Sequence, residues 1–431
     1  MERISVSVSG ENVAQFLGAP KAKSGTALDV SAAVMEVCED SDWEVLDSII
    51  GLCYDTTSVN TGHKNGAAIV LEGKMGKDLL QFPCRHHIFE VILSEAYYVC
   101  FGKSKEPDLT VFKDFKKSWG KFNKNNIYYP KLLNEKDATC LANFVRSMLN
   151  LDKQPRDDYL EFLHLVLIHC DCNFTNSYVF KKPGCLSNAR WMNKAIYSLK
   201  MILFQNEYNV PEDKIYGLNI FCKFILKFYV RAWYKSRIAS MAPLQDLNLI
   251  KLLYDNTKQS IKDLLLSVTI ESIIKKYINH MWYLNEELIC LSLFDVNYSD
   301  KDKSLLAKSI LKPNKVSMGA KKPKVSFDQI PTVNLTDFVT ENSVQFFNKL
   351  GVSYDFLANE PKYWHCNESF IKANNIIKNF IVVNDIAERG VSTVSSFCDV
   401  ITHKETNKQN LFINVSETRK KIPMCVKKEL L

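Results

Sequence analysis

The sequence lacks the features that mark several familiar classes of protein. Its 431 residues contain no apolar run as long as a membrane span and no signal-peptide pattern at the start, so we expect no membrane partner. The 13 cysteines are odd in number and scattered, which favours reduced thiols in a nucleus or cytosol over a disulfide framework. No glycine-rich phosphate loop, Ser-His-Asp pattern or internal repeat stands out, so these common motifs support no function.

Composition and charge set broad limits on what the chain does. The 46% hydrophobic and 24% charged residues are typical of a soluble globular protein, and the length is sufficient for two or three domains. The net charge of +7 is compatible with a nucleic acid partner. It is too small to identify such a partner without further signals.

The stretch Ser48–Gly62 carries the first candidate site. The apolar run from Ile49 to Tyr54 predicts a buried strand, and the small polar residues after it predict a turn that leads into a helix. Asp55 therefore lies at the carboxyl end of a strand, where open α/β sheets bind their ligands. Its carboxylate could hold a divalent metal, or it could merely cap the helix, which is the simpler interpretation on position alone.

The first hundred residues alternate between strand and helix patterns. We predict strands at residues 3–9, 49–54 and 79–82, a short helical turn at 11–17, and helices at 27–38, 66–72 and 84–93. Alternating strands and helices indicate an α/β unit. Aromatics and lysines then interleave up to Lys124, either to grip a nucleic acid backbone or, as we favour, as an amphipathic helix with buried aromatics.

Helical spacing dominates from about residue 138 to 311 and predicts one all-α block of domain size. The predicted helices there are 159–169, 192–204, 218–234, 247–265 and 270–293. Residues 312–331 are rich in lysine and proline and predict a linker. Helices are predicted again at 332–357 and 368–396. We divide the chain into 1–103, a helical insertion at 104–360, and a C-terminal part at 361–431 that contains a helix and a polar tail.

The run D-T-T-S-x-N-T-G, followed by a helix and then C-R-H-H-I-F-E, resembles the middle of a hAT-like transposase. The family pattern has an Asp-x-x-x-x-Asn turn and then a Cys-x-x-His that starts a helix, which Asp55, Asn60, Cys84 and His87 match. The resemblance implies an α/β RNase-H-like domain, incomplete at its N-terminus here, that is interrupted by a large all-α insertion. The whole chain would then be predominantly helical.

A second resemblance lies in the segment Asn384–Val391, which is similar to the family's A-x-E-R-x-F-S block, although Val391 and Ser392 replace Phe-Ser. The resemblance implies that Glu388 is the last of three acidic metal ligands and that Arg389 lies beside it on DNA. Asp385, on the same helix face, is the alternative ligand. Without the resemblance, these acids would be an ordinary solvated face.

Arg190-Trp191 resembles the Arg-Trp pair at the entry to the family's helical insertion. It implies that Trp191 stacks on an unpaired base while Arg190 holds a phosphate; the alternative is a core tryptophan at a helix start. Cys84-x-x-His87 supplies only two of the four ligands of a structural zinc site. We therefore expect no zinc and assign this pair to packing and helix positioning.

The function implied is that of a transposon-derived remnant in the nucleus, which binds DNA and could form a homo-oligomer. Mg²⁺ or Mn²⁺ would be the cofactor of strand cleavage and transfer. We expect this activity to be lost, because the opening strand carries no first catalytic acid and the chain thus resembles a truncated or decayed element. The alternative is a non-enzymatic scaffold for protein contacts, with a cytoplasmic location also open.

Overall fold

The computed structural model describes residues 3–11, 13–39, 46–102, 110–151, 157–172, 174, 178–183, 191–259, 264–317, 319 and 324–384, with isolated positions further on. This part of the chain is predominantly helical, as predicted. Its strands form two sheets of two strands each. The longer elements are therefore helices, which pack on one another. The candidate site around Asp55 lies instead at the edge of one of the two small sheets.

The first sheet is an antiparallel hairpin of β1 (Val6–Gly10) and β2 (Val13–Gly18), in which Val8 pairs with Gln15. The prediction of a helical turn at 11–17 is wrong, because this stretch pairs along β1 instead. Phe16 is 1% exposed, so the hairpin is anchored by an aromatic side chain that a single solvated helical turn would leave in water.

The second sheet contains the predicted strands β3 (Gly51–Tyr54) and β4 (Leu80–Pro83), which run parallel. The prediction that the first of them is buried is wrong, because β3 is only half-buried in this two-stranded sheet and its Cys53 is exposed. A Cβ at Gly51 would lie 2.7 Å from a ring carbon of Phe82 and 3.0 Å from the carbonyl oxygen of Leu80, so only glycine allows this close approach. The connection from β3 to β4 contains the helices α2 (Ser58–Thr61) and α3 (Ala67–Met75). The earlier helix α1 (Ala27–Glu39) packs on α3.

The predicted helical block forms, and its helices have the following bounds. They are α4 (Arg85–Phe101), α5 (Thr110–Ser118), α6 (Glu135–Leu149), α7 (Asp157–Cys170), α8 (Trp191–Leu203), α9 (Glu212–Phe224), α10 (Val230–Lys235), α11 (Ala242–Gln259), α12 (Leu264–Ile278), α13 (Asp300–Leu311), α14 (Gln345–Leu350) and α15 (Glu368–Lys378). A π-helical turn, Ile225–Tyr229, joins α9 to α10. The helix predicted over 270–293 ends at Ile278, and 3₁₀ turns replace most of the helix predicted over 332–357.

The long helix predicted from 368 to 396 also ends early, at Lys378. The next residues, Phe380 to Val383, are aromatic or β-branched and disfavour a helix. They leave the helix instead: Phe380 packs on Phe82 with ring centroids 4.9 Å apart, and Ile381 forms an antiparallel bridge with Ile238. The apolar run from Phe380 therefore contacts both the second sheet and the helical block.

One continuous core extends from β4 to Val382, and α4 lies at its centre against α9 and α12. The aromatics that interleave with lysines are all buried, which confirms the amphipathic interpretation; they are Phe112, Phe115, Trp119 and Phe122. The stretch predicted as a linker contributes Val325 and Ile330 to the same core.

Candidate functional site

The candidate site begins with Asp55, the first residue after β3, in the turn that leads into α2. Three donors reach its Oδ1 atom: the backbone N–H of Thr57 at 3.0 Å, the hydroxyl of Thr57 at 2.6 Å and the side-chain amide of Asn60 at 2.8 Å. These contacts close a turn before α2, whose N-cap is Thr57, so Asp55 holds the turn and does not itself cap the helix, contrary to what the simpler interpretation predicted. Oδ2 makes no hydrogen bond to any residue that the structure describes.

The surroundings keep Asp55 ionised. Partial burial alone would raise the pKa of its carboxyl, but the hydrogen bonds from Thr57, the charge of His87 and the amide of Asn60 outweigh burial and lower the pKa below its usual value. At neutral pH the turn therefore holds a carboxylate with one occupied oxygen, and Oδ2 is the atom through which it could meet a hard cation.

Replacing Asp55 with asparagine should remove a pH-dependent part of the stability. Because the folded-state pKa lies below the ordinary 3.8, the carboxylate stabilises the fold fully above that pH, and this contribution is lost as the pH falls through the lower folded-state pKa. We expect Asp55→Asn to lower the free energy of unfolding at about pH 6 and to have a smaller effect near about pH 2. Urea unfolding at several pH values measures this, and a difference that is independent of pH would contradict it.

The motif residues Asn60, Cys84 and His87 gather around the same edge of the sheet. Cys84 follows β4, is 1% exposed, and donates its backbone N–H to the Tyr54 carbonyl at 2.6 Å. Burial and a hydrogen bond with the Cys53 thiol raise the pKa of the Cys84 thiol well above its usual value, so it is a neutral packing group. His87 lies one turn into α4, near enough to Asp55 for its charge to lower the carboxyl pKa.

The chain returns to this edge just before the second predicted motif. The backbone N–H of Arg85 donates to the Val382 carbonyl at 2.9 Å. Asp385, Glu388 and Arg389, which were predicted from the sequence, lie outside the described residues, as does Arg190. Trp191 begins α8, but its side chain is not described. Within the described ranges, no group of three or more His, Cys, Asp and Glu side chains could hold a metal ion.

A buried polar cluster behind this edge escaped the sequence analysis. The guanidinium of Arg85 lies 2.8 Å from Asp246, and both side chains are fully buried. Arg85 also donates to Gln245 at 2.8 Å, and the Tyr277 hydroxyl donates to Asp246 at 2.8 Å. The ring of Tyr283 lies under Arg85 at 4.9 Å. The start of α4, which positions Cys84 and His87, is thus fixed to α11 and α12.

Comparison with known proteins adds no family. No protein-family model, no curated protein and no solved structure matches the chain. Among the residues that the structure describes, no helix is both long and apolar enough to cross a membrane.

Proposed function

We propose that this chain is a transposon-derived remnant of a hAT-like transposase, which binds DNA and keeps part of a divalent-metal site. One observation carries the proposal. Asp55 is held as a carboxylate at the carboxyl end of β3, and Val382 is bound to the same edge three residues before Asp385. Parallel strands commonly gather their functional groups at this end. An RNase-H-like fold for β3, β4 and their helices is part of the proposal.

Asp55 and Glu388 would hold the metal, and Asp385 would be the alternative partner. The fit rests on the ionised state of Asp55 and on its Oδ2 atom, because carboxylate oxygens are the ligands that Mg²⁺ and Mn²⁺ prefer. Such ions stabilise the charge that develops when a phosphodiester is displaced. Two acids are one short of the three that the resemblance implies, so we expect weak binding and little strand cleavage.

The DNA in this proposal would meet three residues of the predicted motifs. Arg190 and Arg389 would contact phosphates, since a guanidinium binds them in a bidentate way. Trp191, at the start of α8, would stack on an unpaired base. The competing function, a scaffold for protein contacts, needs none of these groups and predicts no dependence on metal.

Manganese binding tests the metal part. Wild-type protein should bind Mn²⁺ weakly, and both Asp55→Asn and Glu388→Gln should weaken this binding at least about tenfold, since even indirect partners of a metal ligand cost that much when they are lost. Electron paramagnetic resonance of free Mn²⁺ measures it without any need for activity. The asparagine can still accept the hydrogen bonds of Thr57 and Asn60, which protects the turn.

Asp78→Asn is the matched control, because Asp78 is an exposed acid on the α3–β4 connection, away from the Asp55 edge. It should leave Mn²⁺ binding unchanged. If the Asp55 and Glu388 variants bind Mn²⁺ as the wild type does, or if the wild type binds none, the metal site is wrong. The non-enzymatic scaffold would then be the better account of the chain.

A further inference from the structure

The helix that runs from α9 through the π-turn into α10 is buried almost all round. Between residues 220 and 233, every side chain is buried except Lys223, Lys227 and Arg231. All three are basic, and Lys235, one step further, is exposed and basic too. We call these four residues the basic ridge. A helix in this position needs polar groups where it meets water, but that need would be met equally by acids or amides.

The four residues follow one another at intervals of four, so each lies about 6 Å further along the axis and the ridge is about 18 Å long. In a regular α-helix each such step overshoots a full turn by about 40°, and three steps would carry the last residue well around the helix. The π-turn Ile225–Tyr229 lies in the middle of the ridge. Its wider turn, closed by bonds five residues apart, rotates the chain less per residue and so offsets part of this drift.

The charges of the ridge are not neutralised within the described structure. None of the four residues forms a salt bridge with a described acid. Lys227 donates to the neutral side-chain oxygen of Asn256 at 2.6 Å. Arg231 and Lys235 lie 6.0 and 5.9 Å from the ring of Phe144 on α6, which supports both heads without removing their charge.

One acid in the neighbourhood of Arg231 is already paired with another residue. Asp171, whose charge and that of Arg231 both act on Cys170, lies 2.6 Å from Arg146. The arrangement therefore presents four positive charges in sequence along the helix, and three of them, on Lys227, Arg231 and Lys235, contact neutral or aromatic neighbours. This differs from an ordinary solvated face, where lysines and acids alternate and compensate one another.

We propose that the basic ridge binds the phosphate backbone of double-stranded DNA. A duplex carries its negative charges at regular intervals along a straight axis, which suits an even row of cations better than the irregular charge of an acidic protein does. Such contacts position a protein on DNA and carry no sequence information. The ridge lies on other helices than the Asp55 edge and rests on the proposed function only for the identity of its partner.

The salt dependence of DNA binding tests the ridge. The logarithm of the affinity falls with the logarithm of salt concentration, with a slope of about −0.9 for each phosphate contact. Four contacts correspond to about a hundredfold loss of affinity between about 50 and 200 mM salt. Fluorescence anisotropy with a labelled duplex of arbitrary sequence should show the slope of the full chain become shallower by about 3 to 4 in the variant K223Q/K227Q/R231Q/K235Q.

A matched control removes the same charge elsewhere. It replaces four exposed lysines on α13, at its end and on α15, as K301Q/K308Q/K312Q/K378Q. This variant should keep the wild-type slope. Because Lys227 contacts the buried Asn256, the triple variant K223Q/R231Q/K235Q serves as a second test that leaves this contact intact, with an expected change of about 3.

The possible outcomes separate the ridge from the proposed function. If the wild type binds the duplex and the ridge variants keep its salt slope, the proposal that the ridge contacts DNA is wrong. DNA binding by other residues would then remain the explanation. If the salt slope changes equally in the ridge and control variants, overall charge explains the binding and the proposal for the ridge is again wrong. If the wild type binds no duplex at low salt, both the proposal for the ridge and the DNA-binding part of the proposed function are wrong. Mn²⁺ binding at Asp55 is tested separately and is not affected by that result.

Discussion

Replacing Arg85 with methionine should lower the free energy of unfolding by about 3–5 kcal/mol. Arg85 and Asp246 are both fully buried and lie 2.8 Å apart, so the change leaves a carboxylate in the core without its partner. An unpaired buried charge is among the few causes of so large an effect from a single substitution. Urea unfolding followed by circular dichroism measures it at neutral pH.

Two further variants test whether the loss of stability comes from the unpaired buried charge of Asp246 or only from the loss of an ion-pair contact. Arg85→Met with Asp246→Leu should recover most of the lost stability, because buried ion pairs replaced by apolar groups of similar size are often as stable as the original. Arg146→Met removes a pair of similar length, 2.6 Å from Asp171, but half of the Arg146 side chain is exposed. We expect it to cost no more than about 1 kcal/mol. Equal effects of Arg85→Met and Arg146→Met would contradict the argument.

The Arg85→Met variant should also loosen the candidate site, because the lost side chain anchors the start of α4, and the backbone N–H that the variant keeps depends on that position. The Arg85 side chain fixes the start of α4 to α11 through Gln245 and Asp246, and the Arg85 backbone N–H holds Val382 at the sheet edge. Hydrogen exchange should therefore become faster at the amide of position 85 and in the first turn of α4. The stability of the core and the geometry around Asp55 are in this way linked by one residue.

Sequence periodicity was sufficient to predict the elements whose apolar residues form a continuous run or recur at helical spacing. The strand before Asp55, the strand at Leu80 and the helices of the block follow from apolar runs and helical spacing. β2 could not be predicted in this way, because its strand character depends on pairing with β1 and on the burial of Phe16. The end of the helix at Lys378 could not be predicted for the same reason, since the partners of the following residues, Phe82 and Ile238, are distant in sequence.

The site was predictable in its local part only. The turn that joins Asp55, Thr57 and Asn60 lies within six residues, so residue types and spacing were enough to suggest it. The importance of Arg85 depends on Asp246, 161 positions away, which no local pattern shows. The basic ridge was visible as lysines and an arginine at intervals of four, but it gains meaning only when the rest of that helix is known to be buried.

Replacing Gly66 with alanine should destabilise the fold by about 1–3 kcal/mol or more and should disturb Asp55. The backbone of Gly66 is in an ordinary extended conformation, so the problem is space and not dihedral angle. A Cβ there would lie 2.6 Å from the nitrogen and the oxygen of Gly62 and 2.7 Å from the Asn60 carbonyl oxygen. These are backbone atoms, which cannot turn away, so the loop between α2 and α3 must open.

Gly73→Ala is the matched control for Gly66→Ala, because it makes the same chemical change within α3, where an added Cβ meets nothing within 4 Å. It should raise the free energy of unfolding by about 0.5–1 kcal/mol, since alanine loses less backbone freedom than glycine does in a helix. Opening the loop in Gly66→Ala should also move Asn60 from Asp55 and return the pKa of that carboxyl towards its ordinary value. Carbon-detected NMR titration of Asp55 measures this shift. A pKa unchanged from wild type in a folded Gly66→Ala protein would mean that the turn holds Asp55 independently of its close packing against Gly66.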